Sequence, residues 1–233
     1  MNYLVIPAFN EEKRIAKNLE AYAKKFSSWK IIVVVNGCTD DTIGVVKKVA
    51  KKYKNIDPVE VKEQAGKGGS VKIGFLKALE KARGKDLIGF VDADSSTAPT
   101  EFEKLVKAIE KTKSDVVIAS RYSHGGNISP KQTKLRILAS RLLNYTVRIL
   151  FNLQYSDTQC GAKLFKSEAL KKIVGNMREK NWMFDIEVLY LLKKAKKKIE
   201  CVGINWKNDS RSHLSIKKVP NYFFDVLIIR MRL

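Results

Sequence analysis

Five short runs of branched apolar residues, at 4–6, 31–35, 59–61, 87–91 and 116–119, constrain the fold of this chain more than any other feature. Stretches of helical character lie between them, at 11–25, 39–52, 70–82 and 100–111. Short buried strands alternating with helical patterns of roughly 10–15 residues read as βαβ units. Such units build a mostly parallel sheet with helices on both faces. We therefore expect an α/β, Rossmann-like fold. With 233 residues the chain has the length of one sizeable domain.

A parallel sheet binds its ligands outside the carboxyl ends of its strands. The polar clusters here fall at those ends: Asn10 and Glu11, Asn36, Asp92 and Asp94, and Arg121. Asp92-Ala93-Asp94 follows the buried run 87–91. Alternation along a strand places residues two apart on one face, and paired hard oxygens suit Mg²⁺ or Mn²⁺, which in turn suit a diphosphate. Helix capping or a solvated turn would use the same residues. Pro7-Ala8-Phe9-Asn10-Glu11 follows the first run. Asn10 there either caps the next helix or meets a nucleotide base or ribose. Thr39 or Asp40 is placed to cap the second helix, and Asn36 to bond the base. Gly66-Lys67-Gly68-Gly69 opens the third helix, where glycines admit a phosphate and the helix N-terminus favours an anion. It is not a Walker A loop, because the first glycine of that motif is missing.

A net charge of +21 calls for an anionic partner: nucleic acid, phospholipid or a phosphorylated substrate. The same lysine excess also suits a protein adapted to heat. Cys38, Cys160 and Cys201 are odd in number and widely spaced, so neither a zinc knuckle nor a disulfide framework is indicated; neutral thiols in a reducing cytosol are expected. His124 and His213 lack metal-ligand partners at helical spacing. No signal peptide is evident, and no apolar run reaches the roughly 18 to 20 residues of a membrane-spanning helix. The expectation is a soluble or peripheral protein.

The second half differs in character. Between Arg121 and Ser156 there is no acid, and residues 134–153 form a basic, apolar helix suited either to a core or to an anionic lipid surface. Residues 221–233 repeat that character, and 193–198 form a further basic run.

Together these pieces resemble the family 2 glycosyltransferases with the A-type fold. The residues concerned are Pro7 to Glu12, the loop Asn36-Gly37-Cys38-Thr39-Asp40, Gly66-Lys67-Gly68, the Asp92/Asp94 pair and Ser120-Arg121-Tyr122. The segments from Asp157 to Phe165 and Asn181 to Glu187 look like the dolichyl-phosphate β-glucosyltransferase branch, and Ser120-Arg121-Tyr122 is shared with dolichyl-phosphate mannose synthases.

The resemblance implies an inverting enzyme that moves a hexose from a nucleotide-diphosphate sugar to polyprenyl or dolichyl phosphate. Glucose from UDP-glucose is the expected donor, and mannose from GDP-mannose the alternative. It implies a metal, Mg²⁺ or Mn²⁺, on Asp92 and Asp94. Asp94, Arg121 and Asp185 are the implied catalytic residues. Pro7, Phe9, Asn10, Glu11, Asn36, Lys67 and Asp92 would bind the nucleotide sugar, and Arg121, Arg136 and Ser140 the lipid phosphate. Residues 1–120 would form the donor half and 121–233 the acceptor half of one domain. The expected place is the cytoplasm, peripheral on the cytoplasmic face of an anionic membrane, with no nucleic acid partner. The chain departs from common family residues at Val35-Asn36, Ser96 and Ala162.

Asp185 occupies the position of a family base, yet it and Glu187 also suit a helix N-terminal turn, and Asp157 is equally ambiguous. Trp182 reads as core or as a sugar-stacking wall. Two rivals remain. A nucleotidyltransferase would carry its glycine-rich loop directly after the first strand, where Pro7 to Glu12 stand; a nucleic-acid binder would leave the clustered acids without a purpose.

Overall fold

The computed structural model describes residues 1–130, 134–208 and 219–233, with backbone alone at 134–136 and 219–221. His213 and Lys131 lie outside the described residues, as does the side chain of Arg136.

The five apolar runs become β1 (Tyr3–Ala8), β2 (Lys30–Asn36), β3 (Ile56–Val61), β4 (Leu87–Val91) and β5 (Val116–Ser120). Helices α1 (Ile15–Lys25), α2 (Thr42–Lys52), α3 (Gly66–Leu79) and α4 (Pro99–Thr112) connect them. After β5 come β6 (Asn127–Ser129), α5 (Lys134–Phe151), β7 (Ala162–Lys166), α6 (Ser167–Ile173), α7 (Phe184–Lys194), β8 (Ile199–Gly203), β9 (Asn205–Lys207) and α8 (Val219–Arg232). The seven-stranded sheet has the order β3-β2-β1-β4-β7-β5-β8. β7 runs antiparallel to both its neighbours, and the other pairings in that sheet are parallel.

Alternation along β1 sorts the core. Tyr3 and Val5 face one side with Phe75, Phe90, Phe165 and Phe184, while Leu4 and Ile6 face the other with Leu19, Phe26 and Phe102. Each large side chain buried in this way contributes about 1.5–3 kcal/mol. Gly74 lets α3 press onto the sheet, since a Cβ there would meet Val5 Cγ1 at 2.3 Å.

Several boundaries differ from the expectation. α1 starts at Ile15 rather than 11, because Glu11 is tied down beforehand: its backbone N–H donates to Thr42 Oγ1 (2.8 Å), and its carboxylate pairs with Arg14. Asn10 does not cap this helix; it sits at positive φ (54°) and bonds Thr39 instead. Neither Thr39 nor Asp40 caps α2. Asp41 does, accepting from the Gly44 N–H at 3.1 Å, because Asp40 is occupied by Thr42 and by the Glu12 N–H. α3 begins at Gly66, a turn before residue 70.

α5 is a core helix and an exposed one at once. Leu143, Val147 and Phe151 are buried, while Leu138, Leu142, Tyr145 and Ile149 are exposed. α8 packs beside it with Val226 and Ile229 buried and Phe224, Leu227, Ile228 and Met231 exposed. No helix among the described residues is long and apolar enough to cross a membrane.

Candidate active site

β1, β2, β4 and β5 all end on one edge of the sheet, and the loops that leave them are knitted together. Asn10 Nδ2 donates to Thr39 Oγ1 (3.1 Å), and the Thr39 N–H returns a bond to Asn10 Oδ1 (2.9 Å), which locks the β1 loop to the β2 loop. Buried Asn36 accepts from the Ala65 N–H at 2.7 Å and so fastens the β2 end to the glycine turn. Its amide is thus engaged by backbone. Pro7 lies one residue before the end of β1, and Phe9, just past it, stands exposed.

The glycine turn is braced from behind. A Cβ on Gly66 would meet Lys180 O at 2.3 Å, and one on Gly68 would meet Glu179 O at 2.4 Å. Buried Glu187 holds that bracing loop by accepting the N–H groups of Arg178 (2.9 Å) and Glu179 (2.8 Å). Glu187 itself stands on the first turn of α7.

Asp92 and Asp94 lie in the turn just past β4, half-buried on either side of buried Ala93. Asn18 of α1 steadies the turn by donating to Ala93 O at 3.1 Å. Asp94 accepts from the Ser96 N–H (2.9 Å); burial and the neighbouring Asp92 push its carboxyl above the ordinary range. Asp92 is crowded by Gly161, where a Cβ would meet Asp92 Oδ2 at 2.0 Å. Lys67 Nζ stands 2.7 Å from Asp92 Oδ1, an ion pair without aligned hydrogen-bond geometry. Burial opposes charge on Lys67, but Asp92, Asp185 and Asp94 outweigh it and hold the ammonium above its usual value. Trp182 is not core: it is partly exposed, with Lys67 Nζ 4.9 Å from its ring centroid.

Asp185, on the first turn of α7, is buried and accepts a 2.6 Å bond from Lys163 Nζ. Sequence reasoning missed Lys163, a fully buried lysine of β7 that also donates to Cys160 O (3.0 Å). A lone lysine between Ala162 and Leu164-Phe165 was the available signal. Asp157 proves to be the partner of Arg121: the guanidinium binds it through Nε and Nη2, both at 2.8 Å, and the Arg121 N–H adds a third bond at 2.9 Å. Burial works against both charges, yet the pair holds Asp157 below the carboxylate range and raises Arg121. Arg121 also lies over the rings of Tyr122 and Trp206. Arg141, one of the basic residues of this acid-free stretch, also lies over the Tyr122 ring, 4.8 Å from its centroid, and donates to Ser156 O. The second turn of α5, which carries half-buried Ser140, therefore abuts the Arg121 loop. Arg136 is placed by backbone alone, on the first turn of α5.

Two coupled carboxylates fit a hard divalent ion, and the like charge that raises Asp94 is what such an ion would relieve. No cluster of three or more His, Cys, Asp or Glu stands together among the described residues. An ion held here would complete its shell with water and diphosphate oxygens, the usual habit of Mg²⁺.

A mostly parallel sheet with paired acids after β4 and a braced glycine turn opening α3 defines the A-type, Rossmann-like fold of nucleotide-sugar transferases. The chain belongs to glycosyl transferase family 2, which its residues 3–174 match. It is 31% identical to a dolichyl-phosphate beta-glucosyltransferase of Trichomonas vaginalis, over 97% of this chain and 71% of the relative. It is 33% identical to the dolichyl-phosphate beta-glucosyltransferase of Saccharomyces cerevisiae, over 98% and 73%. Among solved structures it is similar to glucosyl-3-phosphoglycerate synthase from Mycobacterium tuberculosis in complex with Mn²⁺, UDP-glucose and phosphoglyceric acid. That match has a TM-score of 0.68 at 17% identity, covering 100% of this chain and 79% of the other, and speaks to fold alone.

Proposed function

We propose that this glycosyltransferase moves glucose, with inversion, from UDP-glucose to the phosphate of a polyprenyl or dolichyl lipid, at the cytoplasmic face of a membrane. One juxtaposition carries the reading. The Asp92/Asp94 turn and the Lys67 turn share a sheet edge with Arg121, and α5 leads from that edge into an exposed apolar stripe. The named activity of the relatives supplies the sugar and the acceptor.

On the donor side, Lys67 and the N-terminus of α3 attract the diphosphate. Mg²⁺ or Mn²⁺ on Asp92 and Asp94 would supply Lewis-acid charge to stabilise the departing nucleoside diphosphate. On the acceptor side, Arg121, Arg136 and Ser140 hold the lipid phosphate. Arg121 is pre-oriented by Asp157, so its remaining N–H groups meet the phosphate without reorganisation. A phosphate monoester has its second pKa near about 6, so the nucleophile is largely ionised at neutral pH and needs no strong base. Asp185, held by Lys163, then orients rather than accepts a proton. The exposed faces of α5 and α8 rest on anionic lipid.

The test is to incubate the protein with polyprenyl phosphate in anionic vesicles and a panel of labelled nucleotide sugars. A glucolipid from UDP-glucose is expected. Label from GDP-mannose alone would make the enzyme a mannosyltransferase, and no glycolipid from any donor would end the reading.

A further inference from the structure

The Lys67 ammonium is paired with one oxygen of the carboxylate on which a divalent ion would rest. It is 2.7 Å from Asp92 Oδ1 and 4.9 Å from the centroid of the partly exposed Trp182 ring. The backbone around it is fixed: Gly66 and Gly68 press on the carbonyls of Lys180 and Glu179, and the Gly69 N–H donates to Lys180 O at 3.1 Å. The side chain, with its four-carbon stem, is the part of this turn free to move. It projects from a helix N-terminus, where a diphosphate would offer the ammonium a second and more highly charged partner.

We propose that Lys67 is a displaceable plug in the cation site. Without nucleotide it neutralises Asp92 and competes with the divalent ion for that carboxylate. When a nucleoside diphosphate enters, the ammonium swings to the phosphates and releases Asp92 to the ion. Ion and nucleotide then favour each other's binding through Lys67, beyond their direct contact. By linkage the enhancement is the same whichever binds first, and such couplings typically run about 5- to 150-fold. The inference rests on the metal reading of Asp92 and Asp94 given above.

Mn²⁺ binding to the purified chain, read as loss of the free-ion EPR signal with and without UDP, tests this without turnover. The wild type should bind Mn²⁺ weakly alone and about tenfold or more tightly with UDP. Lys67→Met should bind Mn²⁺ alone about tenfold more tightly than wild type, with the effect of UDP reduced by a similar factor. Mn²⁺ alone should also raise its melting temperature. Lys67→Arg keeps the charge and should keep the weak binding. Lys67→Gln gives the same reading as Met should Met not fold. Unchanged or weaker Mn²⁺ affinity in the folded Met or Gln variant overturns the plug. If UDP and Mn²⁺ together fail to bind even the wild type, the metal reading fails, and the plug with it.

Discussion

At Gly161 a single methyl group should be felt. A Cβ there would meet Asp92 Oδ2 at 2.0 Å, so Gly161→Ala must turn the carboxylate away or shift β7. Overpacking of this kind costs about 1–3 kcal/mol. We expect Gly161→Ala to melt a few degrees lower and to lose UDP affinity in the presence of Mn²⁺, by calorimetry, more than in its absence. Asp94→Asn should leave the fold in place and cut transfer at least about a hundredfold, since charge stabilisation by a metal is worth several kcal/mol. Full activity of that variant, or of wild type in chelator, would remove the metal from the mechanism. Asp157 offers a prediction in pH. Its carboxyl is held below the ordinary range by Arg121, so the pair stabilises the fold above the unfolded carboxylate pKa of about 3.9. That contribution is lost as pH falls through the lower, folded value. Asp157→Asn should cost about 3–5 kcal/mol at neutral pH, because it strands the buried Arg121 charge, and its urea midpoint should fall less steeply on acidification than that of wild type.

Elements were legible where burial is uniform. β4 and β5 were readable because every residue in them is buried and, apart from the terminal Ser120, none is polar. β7 was not, because Lys163 and Lys166 interrupt its apolar pattern; the Lys163 charge is balanced by Asp185, 22 positions away. The site shows the same divide. Polar residues at strand ends could be found from local pattern, whereas Lys67–Asp92 and Arg121–Asp157 depend on pairings across the fold that no periodicity reports. The two exposed stripes also belong to this scale. Leu138, Leu142, Tyr145 and Ile149 are exposed on α5, and Phe224, Leu227, Ile228 and Met231 on α8, which packs against it; Arg141, Arg148, Arg230 and Arg232 are on the same helices. Each basic residue near an anionic surface adds about 1 kcal/mol, fading within a Debye length. We expect the protein to float with anionic vesicles at low salt and to sink progressively as salt rises. Replacing Phe224, Leu227 and Ile228 by Gln should abolish flotation while sparing the core, which α8 enters through Val226 and Ile229 instead. Equal flotation of the variant would place the contact elsewhere.

For the whole molecule, the position of β7 matters most. It fills the gap between β4 and β5, which have no pairing with each other, so the donor half cannot close its own sheet. A fragment ending at Ser156 should lack a cooperative melt, despite holding β1 to β5. The same insertion sets a timetable for synthesis. Strands β1 to β4 leave the ribosome early, yet one side of β4 stays unpaired until residue 166 has been made. An open apolar strand edge invites pairing with other chains. At about 5–20 residues per second, the 75 residues from Val91 to Lys166 keep that edge open for roughly 4 to 15 s. The nascent enzyme is therefore most exposed to aggregation and to chaperones midway through its own translation, and one late, backward-running strand ends that interval.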